Sequence, residues 1–256
     1  MAIIWVTSRK VIGICDYIAE NPTIMKEFPR LLLLCFPLLI LGCNPDEDCC
    51  DPNPSGGESD CESIEYQGYT YALVAIGDQC WFVENLRTEH YANGDAIPGE
   101  LSAGDWGGMC ESNLGAQAIN YEDAANLAAY GRLYNWYAVD DARGLCPSGW
   151  SVPSDIQFDI LLYYLGDIDF AGEKMKSSPS DTPSWDGSNT SGFSGLAGGN
   201  RNTDGKFGWE GSEGSFWTST IVSWNSASKR ELNSDWTGLG YMNGNNGMGY
   251  SVRCVR

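Results

Sequence analysis

The sequence predicts a mixed α and β fold in which one amphipathic helix packs on a sheet of aromatic strands. Three observations carry this. Ser154 is followed three residues on by Gln157, the capping-box spacing, and Phe158, Leu161, Leu162 and Leu165 then recur at helical intervals before Gly166. The flanking runs YTYALVAIG, QCWFVENL, WTSTIV and YSVRCVR are rich in the aromatic and β-branched residues that suit strands. Between the helix and the closing strands, Asp186–Trp217 is so rich in glycine that it reads as ordered loop with short strands.

Taken in order, the chain opens on an address. Leu31–Leu41, LLLLCFPLLIL, follows Lys26 and Arg30 and is too short for a membrane span of about 20 residues, but suits the apolar part of a signal peptide. It ends in Ile40-Leu41-Gly42-Cys43, which resembles a bacterial lipobox and implies lipidation at Cys43. Met25 begins a complete signal of this kind. Residues 1–24 are therefore expected to be a mis-called start upstream of the mature protein, 25–42 the signal peptide, and 43–63 an acidic Pro/Gly/Ser-rich tether that cannot bury enough to fold. Several acyl chains would hold such a protein firmly to a bilayer, since each buried CH₂ adds about 0.8 kcal/mol. Acidic residues just after the cysteine resemble the export signals of Bacteroidetes-type surface lipoproteins, so the expected location is the outer membrane, facing outward.

The folded part is expected over 64–256. Tyr69–Gly77 and Gln79–Leu86 read as a hairpin turning at Gly77-Asp78, and a polar loop then leads to Cys110. Tyr121–Ala138 reads as helical in its first part, with Gly131 opposing continuation. Ser223–Gly249 reads as a polar, loop-rich segment between the closing strands.

Charge and composition exclude several functions. Acidic residues outnumber basic ones 34 to 15, a net charge of −19, the wrong sign for nucleic acid. The one histidine, His90, lies in a polar stretch and reads as a solvated loop residue. A zinc site built on histidines or a Ser-His-Asp triad would have to use it. Carboxylates are scattered, and no pair stands out for glycoside hydrolysis. The oxygen-rich 200–213 segment permits a structural calcium ion without an EF-hand spacing, and no other cofactor is implied.

DQCWFVENL, YGRLYNWYAV, GLCPSGWSVPSD, the capped helix, GNRNTDGKFG, GSFWTST and SVRCVR, in this order, are similar to the Fibrobacter succinogenes major paralogous domain over roughly Ile64–Arg256. The resemblance implies an extracytoplasmic domain, often on lipoproteins. More distantly, GSFWTST and SVRCVR resemble the core of C-type lectin-like and formylglycine-generating-enzyme folds. That implies an α+β domain with short twisted antiparallel sheets, two helices and long Gly-rich loops.

Ten cysteines without any C-x-x-C point to disulfides rather than metal. Cys80, Cys110, Cys146 and Cys254 allow three connectivities, of which Cys146–Cys254 with Cys80–Cys110 is favoured here. Cys49, Cys50 and Cys61 are odd in number, leaving one free or cross-linked to a partner.

In lectin-like folds the segment before the last strand often carries the ligand face. Trp224, Asn225, Asp235, Trp236, Tyr241, Asn243 and Asn245 are accordingly the candidate binding residues, their rings suited to stacking and their amides to hydroxyls. Asn243-Gly244 and Asn246-Gly247 read equally well as turns. A non-catalytic module for a glycan or a surface protein is the expected function; a formylglycine-generating-enzyme-like or carbohydrate-active enzyme is the alternative.

Overall fold

A computed structural model describes residues 61–166 and 168–256. The expected signal, the lipidation residue Cys43, the tether to residue 60 and Cys49 and Cys50 lie outside the described residues.

Strands β1 (Ser63–Tyr66), β2 (Tyr69–Ile76) and β3 (Gln79–Phe82) form a three-stranded antiparallel sheet. Ile76 pairs with Gln79, so Gly77-Asp78 is the two-residue loop read from the sequence. Gly77 has φ +62°, the left-handed backbone that such a loop needs at its first position. Because β1 starts at Ser63 and Cys61 is disulfide-bonded to Cys80, residues 61–63 belong to the domain rather than to the tether.

Helix α1 (Ala103–Glu111) follows, where a loop was expected. Ser102 caps it, its side chain accepting from the Asp105 amide, and Trp106 is buried. Helix α2 (Ala124–Tyr130) then stops at Gly131, which leads straight into β5 (Arg132–Asn135) after β4 (Gln117–Ile119). A Cβ on Gly131 would lie 2.9 Å from the carbonyl oxygens of Asn85 and Leu86, so only glycine allows that approach.

The short helix α3 (Trp136–Val139) precedes α4 (Asp155–Leu165), the capped helix of the sequence. Both halves of its capping box form, and Gly166 closes it at φ +91°. Burial of Phe158, Leu161 and Leu162 contributes roughly 5–8 kcal/mol of hydrophobic stabilisation. Helix α5 (Ile168–Met175) was not anticipated; its Gly172 lets the helix press against the Gly238 carbonyl.

The remaining strands are β6 (Gly198–Arg201), β7 (Phe207–Glu210), β8 (Glu213–Ser223), β9 (Ser226–Asn233), β10 (Gly240–Asn245) and β11 (Gly249–Ser251). Together with β4 and β5 they form an eight-stranded sheet ordered β10-β9-β8-β6-β11-β5-β4, with β7 on β6. Three expectations fail here. The sheet is mixed, since β8 runs parallel to both β6 and β11. The polar 223–249 segment is not loop-rich but holds two full strands, and the described residues carry more than two helices.

Strand β8 explains the arrangement. Trp217 points into a core with Phe82, Tyr134 and Tyr250, whereas Phe216 points into another with Trp81, Phe158 and Phe193. Successive side chains leave opposite faces of a strand, so a sheet covered on both sides needs aromatics in adjacent positions. Helix α4 covers the Phe216 side. No helix among the described residues is long and apolar enough to cross a membrane.

Candidate functional site

Strand β10 ends the eight-stranded sheet, and its outward side chains form the candidate site. Tyr241 stands opposite Arg230, Asn243 opposite Ser228 and Asn245 opposite Ser226. Directly paired residues share a face and alternate residues repeat it, so these three candidates line one side of an edge strand. All three are exposed. Asn243-Gly244 is therefore strand rather than turn, while Asn246-Gly247 does turn the chain into β11.

The face has a charged floor. Arg230 is fully buried, its guanidinium 3.4 Å from the Tyr241 ring centre, and Nη2 lies 3.0 Å from Asp155 and 3.7 Å from Asp159 of α4. Burial pushes the Arg230 pKa down, opposed by the two carboxylates. The phenol ring is thus held flat over a cation, in a fixed pose.

Trp224 and Asn225 make the turn between β8 and β9 at the Asn245 end. Ser223 Oγ donates to Asn225 Oδ1 at 3.1 Å, and the Asn246 amide donates to the Asn225 carbonyl at 3.0 Å. Trp224 is 86% exposed, the most solvent-facing large apolar side chain among the described residues. This tryptophan is therefore not part of the core.

Asp235 and Trp236 do not join this group. They lie in the β9–β10 loop, at the opposite end of a strand that spans about 17 Å at 3.4 Å per residue. The Trp236 ring packs on Gly238 and Gly240, and Gly240 belongs to the face opposite Tyr241. Five of the seven candidates therefore form one patch and two lie elsewhere.

The opposite face of the same strands is closed around Lys229 and Gly244. Lys229 Nζ sits 2.7 Å from Glu231, 3.2 Å from Glu213 and 2.9 Å from Ser215 Oγ, over the Tyr250 ring at 4.6 Å. Burial lowers its pKa, but Tyr250, Glu213 and Glu231 outweigh that and hold it above the ordinary lysine value. A Cβ on Gly244 would lie 2.7 Å from Tyr250 and 2.8 Å from Trp217. Nothing larger than glycine fits there, although Met242, on the same face opposite Lys229, is exposed.

The cysteines pair differently from the favoured scheme in one respect. Cys146–Cys254 forms as expected, but Cys80 pairs with Cys61 and Cys110 is free. The reason is topological: Cys61 lies just before β1, beside the hairpin that carries Cys80, whereas Cys110 sits on α1 against Gly247. Burial pushes the Cys110 thiol up to about 11.

In the 200–213 segment, Asp204 pairs with Lys206 at 2.7 Å and Glu213 with Lys229. Among the described residues, no group of three or more His, Cys, Asp or Glu side chains is placed to hold a metal ion.

The family model of the Fibrobacter succinogenes major domain matches residues 74–256. The chain belongs to that family. The matched span starts inside β2 and takes in the whole β8–β10 edge and the Cys146–Cys254 disulfide; β1 and Cys61 precede it. No curated protein and no solved structure matches the chain.

Proposed function

We propose that this member of the Fibrobacter succinogenes major domain family is a cell-envelope lipoprotein, anchored in the outer membrane through Cys43, whose outward-facing domain binds without catalysis at the β8–β10 edge. One observation carries the reading: Trp224 stands 86% exposed at the end of a strand face presenting Tyr241, Asn243 and Asn245. An exposed indole costs solvation and is recovered when a ring or an apolar side chain stacks on it. Amides at every second residue supply paired donors and acceptors beside it.

The ligand class is a glycan or a segment of another surface protein. Both suit an edge strand, the first through stacking and amide contacts, the second by adding a strand to β10. The position of the face just before the last strand is the one that the lectin-like resemblance of the sequence implies. The formylglycine-generating alternative, whose chemistry the resemblance ties to a reactive cysteine pair, has less support, because Cys110 is the one free cysteine among the described residues and burial pushes its thiol up to about 11.

The test is a glycan and surface-protein array probed with the full chain. Saturable binding lost in Trp224→Ala and Asn243→Ala, with the far-ultraviolet circular dichroism unchanged, supports the reading. Binding that survives both substitutions, or turnover of a glycan, removes it.

A further inference from the structure

We propose that one end of the domain, formed by the C-terminus of α4, by α5 and by the β9–β10 loop, docks on a zwitterionic lipid surface through Tyr163, Tyr164, Ile168, Phe170 and Trp236. The inference rests on the Cys43 anchor proposed above and adds an orientation to it. Apolar side chains exposed singly are ordinary, but a group of them marks an interface. All five are exposed, Tyr163 at 79%.

Contacts hold the five together. The Tyr163 and Tyr164 rings lie 6.0 Å apart at the end of α4, and α5 begins at Ile168. The Thr237 hydroxyl of the β9–β10 loop donates to the Asp169 carbonyl at 2.7 Å. A Cβ on Gly238 would lie 2.9 Å from the Trp236 ring and 3.1 Å from the Ile168 carbonyl oxygen, so ring and helix are neighbours.

The place where the tether joins the domain says what covers them. The described residues start at Cys61, held by its disulfide to Cys80, two residues past the Gly77-Asp78 turn. Tyr164 packs on that same turn. Its hydroxyl donates to Asp78 Oδ2 at 2.9 Å, and its ring fills the space that a Cβ on Gly77 would need. Cys43 is 18 residues upstream of Cys61, at most about 60 Å of extended chain. An acylated Cys43 therefore keeps lipid beside this end at an effective concentration of about millimolar, where a weak contact suffices. A protein partner would have to be recruited.

The chemistry of the face fits lipid of one kind. Tyrosine and tryptophan rings settle at headgroup level, and isoleucine and phenylalanine reach below it. Asp78, Asp169 and Asp235 are exposed beside the rings, while Lys174 and Lys176 give Nζ to the Leu165 and Trp236 carbonyls at 2.6 and 3.2 Å. Anionic lipid is repelled and zwitterionic lipid is not. Trp224 precedes β9 and Trp236 follows it, and that eight-residue strand spans about 27 Å at 3.4 Å per residue. Docking by the Trp236 end thus turns Trp224 away from the bilayer.

Hydroxyl-radical labelling read by mass spectrometry tests this, on the acylated chain in vesicles of phosphatidylethanolamine and phosphatidylcholine. The comparator is the Tyr163→Asp/Phe170→Asp chain, whose two altered side chains are exposed. Tyr164 and Trp236 are expected to label at least about twofold less in the wild type, the protection reached when effective concentration equals the dissociation constant. Tyr121, exposed elsewhere, should label alike in both chains, and buried Trp217 should stay unlabelled in both. The difference should shrink when a third of the lipid is phosphatidylglycerol. A chain without acyl groups on Cys43 overturns the anchor and the docking with it. Equal labelling of Tyr164 and Trp236 in two acylated, vesicle-bound chains overturns the docking alone, as does a difference that phosphatidylglycerol leaves unchanged or enlarges. Protection found in outer-membrane fragments but not in lipid-only vesicles assigns the face to a protein and also overturns it.

Discussion

Arg253 Nε donates to Asn85 Oδ1 at 2.8 Å, and both side chains are buried, 168 residues apart in the chain. Asn85 also donates to the Tyr130 carbonyl and to Ser251 Oγ, so one amide ties β3's exit, α2 and β11 together. Arg253 gives its other nitrogens to the carbonyls of Phe193 and Ser194 and lies 4.1 Å from the Phe193 ring centre. Burial lowers its pKa to about 9. Truncating Asn85 to Ala is expected to cost about 3 kcal/mol, because a buried cation loses an acceptor. The urea midpoint reads this, and a cost below about 1 kcal/mol would remove the pair from the list of stabilising contacts.

The two disulfides are expected to differ in worth. Opening Cys146–Cys254, with a separation of 108 residues, should cost about 4–5 kcal/mol; opening Cys61–Cys80, separated by 19, about 3 kcal/mol in the chain-entropy model. Double alanine variants followed by denaturant unfolding give both values. Peptide mapping under non-reducing conditions should recover both pairs, and a Cys80–Cys110 peptide would contradict the structure.

Two tryptophans seven residues apart should behave oppositely. Trp217 is fully buried and its indole donates to the Tyr134 carbonyl at 2.8 Å, so Trp217→Ala is expected to cost more than about 3 kcal/mol. Trp224→Ala, at the exposed turn, should change stability by less than about 0.5 kcal/mol. A large stability loss at Trp224 would mean that this ring is a packing residue.

Stability should fall on the alkaline side. Burial raises the Tyr71 phenol from 10 to about 12, so the folded state keeps a proton that the unfolded chain releases. The contribution is complete below pH 10 and is lost as pH rises from 10 to 12, about 2–3 kcal/mol in all. Tyr71→Phe should flatten that part of a denaturation-against-pH curve. An unchanged slope would show that Tyr71 ionises alike in both states.

How much could be read beforehand follows from where each signal is stored. The α4 helix was legible because its cap, its apolar stripe and its glycine stop all lie within thirteen residues, Ser154 to Gly166. The Gly77-Asp78 hairpin and the stop at Gly131 were legible for the same reason. Strand β9 was not. Its SASKRELN looks solvated, yet Lys229 and Arg230 are buried on opposite faces because Glu231 of the same strand, and Glu213, Asp155 and Tyr241 from three other elements, meet them. A charge is read as exposed unless its partner is visible, and these partners are 2 to 75 residues away.

The amino-acid order alone determined the mixed α and β class, the family and the capped helix, because local spacing and motif order carry those. Folding in three dimensions decided the partner of Cys80, the two-faced burial of β8 and β9, and which aromatic rings reach water. Those depend on the register of strands far apart in the chain, where one residue of slip exchanges the faces.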